Sequence, residues 1–200
     1  MNYPAFFDEV EPIETIDPLA DILGAVENGR ITYDYLDMVK LAGHSCPTVA
    51  GAWLMTKMGL KKLYQDDLPV RGNVKVEIRE ALDEGVAGVI GSCIGLVTGA
   101  SNEGGFKGLG GKFARNNRLF YGVELGAEVR LTRLDNAAHV EMVYNPSIVP
   151  AHPDMQPLMQ KLMQGTATQQ EKQRFGQLWQ ERVKKILLET DLWPAILTVS

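Results

Sequence analysis

From Asn73 to Glu80 the chain alternates strictly, with Val74, Val76 and Ile78 set between Lys75, Glu77 and Arg79. That period of two predicts a strand with one buried and one wet face. Further strands are expected at residues 118–124, 127–134 and 138–144, with Asp135-Asn136 turning between the last two. Helical spacing governs residues 47–64, where Val49, Trp53, Met58, Leu60 and Leu63 supply the apolar content. Ser45 or Cys46 is the expected cap of that helix, and Pro47 sits near its first turn. Asp17-Pro18 opens a shorter helix expected to reach about Glu27, and Thr32 is expected to cap another through Leu41, stopped by Gly43.

Residues 83–99 predict a helix despite Gly85, Gly88, Gly91, Gly95 and Gly99. Each interior glycine costs roughly 1 kcal/mol against alanine, so something must offset them. Gly88, Ser92, Gly95 and Gly99 would line one face with almost no side chain. Such a face allows close packing, which is the expectation, or leaves room for a ligand. A glycine-rich loop follows from Ala100 to Gly111. The order helix, strand, helix, then three strands predicts an α+β domain with a mixed sheet.

Composition changes beyond Pro146, where Pro150, Pro153 and Pro157 mark a linker. Thr168 and Glu171 have the spacing of a capping box. Phe175, Leu178, Trp179, Val183, Ile186 and Leu187 then form an apolar stripe at helical spacing. The expected division is an α+β domain with N-terminal helices over residues 1–146, and a Pro-rich linker with an amphipathic helix over 147–200. The stripe must be covered by the chain's own domain or by a second copy, and a homodimer is expected.

With 200 residues, 45% hydrophobic and 22% charged, the chain has an ordinary globular composition. A net charge of -5 with scattered Lys and Arg argues against a nucleic-acid partner. No stretch approaches the ~20 apolar residues of a membrane span, and Met1 to Glu11 lacks the pattern of a secretory signal. A cytoplasmic protein with two reduced thiols, Cys46 and Cys93, is therefore expected.

The chemistry centres on Gly43-His44-Ser45-Cys46-Pro47. A cysteine at a helix N-terminus is biased toward thiolate, and thiolate with neutral imidazole is a donor pair that Zn²⁺ prefers. Two donors do not make a site. Cys93 is the expected third, with water or a carboxylate as fourth, although Cys93 also suits a plain core position. His139 is expected to be solvated on its strand, and His152 receives no role. No H-E-x-x-H is present, and none of Glu80, Asp83, Glu84 and Glu103 is singled out as a catalytic base.

The G-H-x-C-P stretch at Gly43 to Pro47 resembles the motif of the FmdE family, proteins similar to one component of formylmethanofuran dehydrogenase. Cys93 to Ser101, Gly104-Gly105-Phe106 and Gly110-Gly111-Lys112 resemble the family's second segment, so the likeness runs from about Leu41 to Tyr144. The resemblance implies an α-β-α-β-β-β core with a mixed four-stranded sheet, similar to the catalytic domain of glyceraldehyde-3-phosphate dehydrogenase. It implies zinc held by His44, Cys46 and a residue of the second helix. The chain departs from the family at Ser92, where an acid is usual, and at Ala100, where a cysteine is usual. Cys93 stands one position from the family's acid. The metal's open position would admit a small ligand. Two alternatives stay open: haem or another metallocofactor held through Cys46-Pro47, and a thiol redox pair of Cys46 and Cys93, ranked last because no C-x-x-C exists.

Overall fold

The alternation at residues 73–80 folds as strand β3 (Val74–Ile78), its valines and isoleucine buried beneath helices and its charged residues on the opposite face. The structure is a computed structural model describing residues 2–200. In chain order, the other strands are β1 (Ile13–Ile16), β2 (Arg30–Tyr33), β4 (Leu119–Phe120), β5 (Val129–Arg133), β6 (His139–Tyr144) and β7 (Leu197–Val199). The helices are α1 (Pro18–Ile22), α2 (Tyr35–Ala42), α3 (Pro47–Tyr64), α4 (Ala87–Thr98), α5 (Met155–Met163), α6 (Gln169–Leu188) and α7 (Trp193–Ile196). The fold is α+β. Its main sheet has the order β4-β3-β5-β6-β7, with β4 parallel to β3 and the remaining pairs antiparallel. The expected sheet had four strands; β7 returns from the C-terminus and pairs with β6 as a fifth.

Helices α3 and α4 pack together on one face of this sheet, and α6 lies on α3. Lys75 pairs with Glu77 at 2.9 Å, and Arg130 pairs with Glu141, on the polar face. An antiparallel sheet tolerates one wet face in this way.

The N-terminal segment differs from expectation. Thr32 does not cap a helix: it lies in β2, opposite Glu14 of β1. Asp34 caps α2 instead, in a capping box with Asp37, and Gly43 closes that helix at φ 75°. Helix α1 stops at Ile22, short of Glu27. Asp17 caps it through the Leu19 and Ala20 amides and also accepts from Arg71 at 2.9 Å and Arg115 at 2.6 Å. Burial works to raise the Asp17 carboxyl, but these donors and the guanidinium charges outweigh it and hold the group below its usual range. This buried pairing ties the β1–β2 unit to the glycine-rich loop.

Residues 147–200 are more than a linker and one helix. They supply α5, α6, α7 and β7, and Val183, Ile186, Leu187, Ile196 and Leu197 belong to the main hydrophobic core. The α6 stripe is thus largely spent within the chain, against α3 and α5. No helix among the described residues is long and apolar enough to cross a membrane.

Removing Thr168 to Ser200 uncovers α3 and the β6 edge together. The truncated chain is expected to lose cooperative urea unfolding and to bind a hydrophobic dye. A sharp transition close to that of the full chain would overturn this account.

Candidate metal and ligand site

The turn between α2 and α3 carries the motif. Gly43 takes the left-handed conformation that ends α2, which leaves three residues to reach the start of α3. Cys46 is the N-cap of α3 with φ −150° and ψ 171°, and its sulfur accepts the Val49 amide at 3.5 Å. Pro47 occupies the first helical position, where a missing N–H costs nothing. Cys46 is buried and its side chain is fixed by the helix it starts.

Cys93 lies on α4 with 0% of its surface exposed, and it lines a cleft of about 590 Å³. The cleft is bounded by Leu41 and Ala42 from the end of α2, by Leu82, Asp83, Gly85 and Val86, and by Gly88, Val89 and Ser92 of α4. Burial first, and the charge of nearby Cys46 second, push the Cys93 thiol up from 9.0 to about 12. Both thiols are buried, Cys46 at the start of α3 and Cys93 on α4, two helices that pack together. His44 is exposed; its Nδ1 lies 2.9 Å from the Ala42 carbonyl. A carbonyl can only accept, so Nδ1 is the donor here, and in the neutral ring that leaves the lone pair on Nε2, the usual arrangement of a metal-binding imidazole.

Among the described residues, no three His, Cys, Asp or Glu side chains form a ready metal-holding group. Cys46 and Cys93 lie on two helices that pack together, both buried, and His44 is exposed on the turn. Two sulfurs and an imidazole suit zinc chemically. His139 is exposed on β6, and the exposed His152 lies beside Asp154.

The small-residue face divides along α4 between a cleft wall and close packing. Gly88 and Ser92 open onto the cleft. A Cβ on Gly95 would sit 2.6 Å from the Ala100 carbonyl oxygen, and one on Gly91 would overlap the Tyr121 hydroxyl, so those two serve packing.

Sequence reasoning missed the residues that hold the turn. The Tyr35 hydroxyl bonds to Ser45 Oγ at 3.0 Å, and the Tyr144 hydroxyl donates to the Pro47 carbonyl at 2.7 Å. Burial raises both phenols above their ordinary range and keeps them protonated. Trp179 and Gln180 of α6 both donate to the Ser45 carbonyl.

A family model described as "FmdE, Molybdenum formylmethanofuran dehydrogenase operon" matches residues 41–192. The chain belongs to the FmdE family. The match extends past Tyr144 and takes in α5 and α6, so the helix that reaches Ser45 is part of the FmdE region. No curated protein matches the chain.

Two outcomes test this geometry. A Cβ on Gly51 of α3 would overlap the Tyr144 ring. Glycine to alanine normally gains roughly 1 kcal/mol in a helix interior; here Gly51→Ala is expected to lose about 1–3 kcal/mol by overpacking, read from urea unfolding. A gain would refute the contact. The second concerns pH. An unfolded Cys93 ionises near 9.0 and the folded one only near 12, so the folded state keeps a proton that the unfolded state loses. The stability this contributes is complete below pH 9 and declines as pH rises through that window. Urea midpoints from pH 8 upward should fall more steeply for the wild type than for Cys93→Ala; parallel curves would rule out a raised thiol.

Proposed function

We propose that this FmdE-family protein binds one metal ion, zinc before others, through Cys46, Cys93 and His44, and that the adjoining cleft admits a small ligand to it. The observation that carries this reading is two buried free thiols on helices that pack together, one at a helix N-cap and one on a cleft wall. Zinc so bound would act as a Lewis acid with a position left for water or ligand. The chain's own part is to orient and to exclude water. The α3 N-terminus fixes Cys46, the Ala42 carbonyl fixes the His44 tautomer, and Leu41, Leu82 and Val86 make the cleft mouth apolar. No side chain is placed as a catalytic base. The core order α3-β3-α4-β4-β5-β6 supports the expected kinship with the catalytic domain of glyceraldehyde-3-phosphate dehydrogenase.

Haem is the second reading. Leu41, Leu82 and Val86 are 49%, 56% and 46% exposed around the cleft, an apolar mouth that suits a flat macrocycle. The redox alternative is weaker, because a Cys93 thiol pushed to about 12 supplies almost no thiolate at neutral pH. A dimer through the α6 stripe loses its motive once that stripe is covered within the chain.

Elemental analysis and an absorption spectrum of the purified protein separate these readings. About one zinc per chain, lost in His44→Ala with Cys46→Ser, is the expected result; a Soret band would install the haem reading. Cys93→Ser should lower metal occupancy if Cys93 is a ligand. If it is only core, the variant should instead lose roughly 1–3 kcal/mol through a buried hydroxyl while keeping its metal. Metal content unchanged in the His44/Cys46 double variant would overturn the site.

A further inference from the structure

Helix α6 meets the motif turn at a single atom. The Trp179 indole Nε1 donates to the Ser45 carbonyl oxygen at 2.9 Å, and Gln180 Nε2 donates to the same oxygen at 3.1 Å. A carbonyl oxygen offers two lone pairs, and both are used. The Ser45–Cys46 peptide is planar, so fixing its C=O fixes the direction of the Cys46 N–H and the point from which the Cys46 side chain departs. The support behind these two donors is rigid. Leu178, Val183, Ile186 and Leu187 on α6 are each at most 2% exposed. Phe175 packs on the Trp179 ring at 5.6 Å between centroids. On the other side of the turn, Tyr35 and Tyr144 hold Ser45 Oγ and the Pro47 carbonyl.

We infer that Trp179 and Gln180 are positioning residues of the candidate metal site, setting the direction of the Cys46 sulfur through the Ser45 carbonyl without touching the ion. The metal readout below rests on the proposed function; the thiol readout does not.

The test uses the full chain with Trp179→Phe and Gln180→Leu combined, which removes both donors and keeps the apolar bulk. Metal is stripped with a chelator, and alkylation of Cys46 and Cys93 by iodoacetamide is followed by mass spectrometry under native conditions. Cobalt(II) affinity is then measured from thiolate-to-cobalt absorption. The expected result is a roughly tenfold rise in Cys46 alkylation with Cys93 unchanged, and a cobalt affinity lowered about 10–100-fold, the usual effect of losing an outer-shell partner. Cys93 is the internal control, since it sits on α4 and has no tie to Ser45. If both cysteines become reactive together, α6 only stabilises the fold, and the inference is wrong. It is equally wrong if Cys46 alkylation does not change. Should the wild type bind no cobalt, the metal reading fails, and Cys46-selective alkylation still decides whether α6 positions the thiol. If the double variant does not fold, Gln180→Leu alone removes one donor, with a smaller shift of the same sign expected.

Discussion

Helix α3 has water on almost none of its sides. Val49, Ala50, Ala52, Trp53 and Met55 are all fully buried, under the sheet, α4 and α6. A helix segment buried on every side has to be enclosed; the lysines of α3, Lys57, Lys61 and Lys62, all fall in its second half. On the sheet side the enclosure is so close that side chains are omitted: a Cβ on Gly59 would stand 2.8 Å from Leu131 Cδ1, and Gly51 lies flat against the Tyr144 ring. Two interior glycines cost the helix roughly 1 kcal/mol each. Contact between α3 and the sheet offsets that cost. Cys46 is the residue placed at the N-terminus of this closely packed helix.

Burying that N-terminus creates a second demand. Backbone groups carried into the interior must find partners. The Val49 amide is met by the Cys46 sulfur, the Ser45 carbonyl by α6, and the Pro47 carbonyl by Tyr144 of β6. Two elements distant in sequence, α6 and β6, thus converge on one turn because a helix start was buried there. The turn's precision is a consequence of satisfying its polar atoms, whatever chemistry it performs. The N-terminal unit is tied in on similar terms: Asp17 spends one carboxylate on a cap and two guanidinium groups.

What could be read from the chain follows the range of each interaction. Helix α3 and strand β3 announce themselves because their pattern and caps are local. The cap of α3 was legible to within one residue, Ser45 or Cys46, for the same reason, and Thr168 with Glu171 likewise marked the start of α6. Thr32 misled because its capping preference is real but was overruled by pairing with β1, a partner too short to show a clear period. Helix α5 hid behind prolines; Pro157 is tolerated because it falls in the first turn, where its N–H has no partner to lose. Strand β7, three residues long, exists because the edge of β6 is there to receive it. The α6 stripe told that a face is buried but not what buries it. The Trp179 bond to Ser45 spans 134 residues, and no local pattern carries such a contact.

The Cys93 question turns on surroundings more than on burial. A core cysteine has packed side chains on every side, whereas Cys93 is fully buried yet forms part of the wall of an open cleft. No shift of its thiol toward the charged form is provided by the protein: burial and the neighbouring sulfur both act the other way. An unmetallated thiol there stays protonated and neutral, which is the least costly state for a buried group. A divalent cation changes that balance, because two thiolates and one Zn²⁺ sum to zero charge, and the protons leave as the ion arrives. The same features that make Cys93 a poor nucleophile are thus compatible with a ligand whose charge is supplied by its metal. Cys46 would be the second such ligand, its sulfur engaged with the Val49 amide at the start of α3 and the carbonyl before it held by α6.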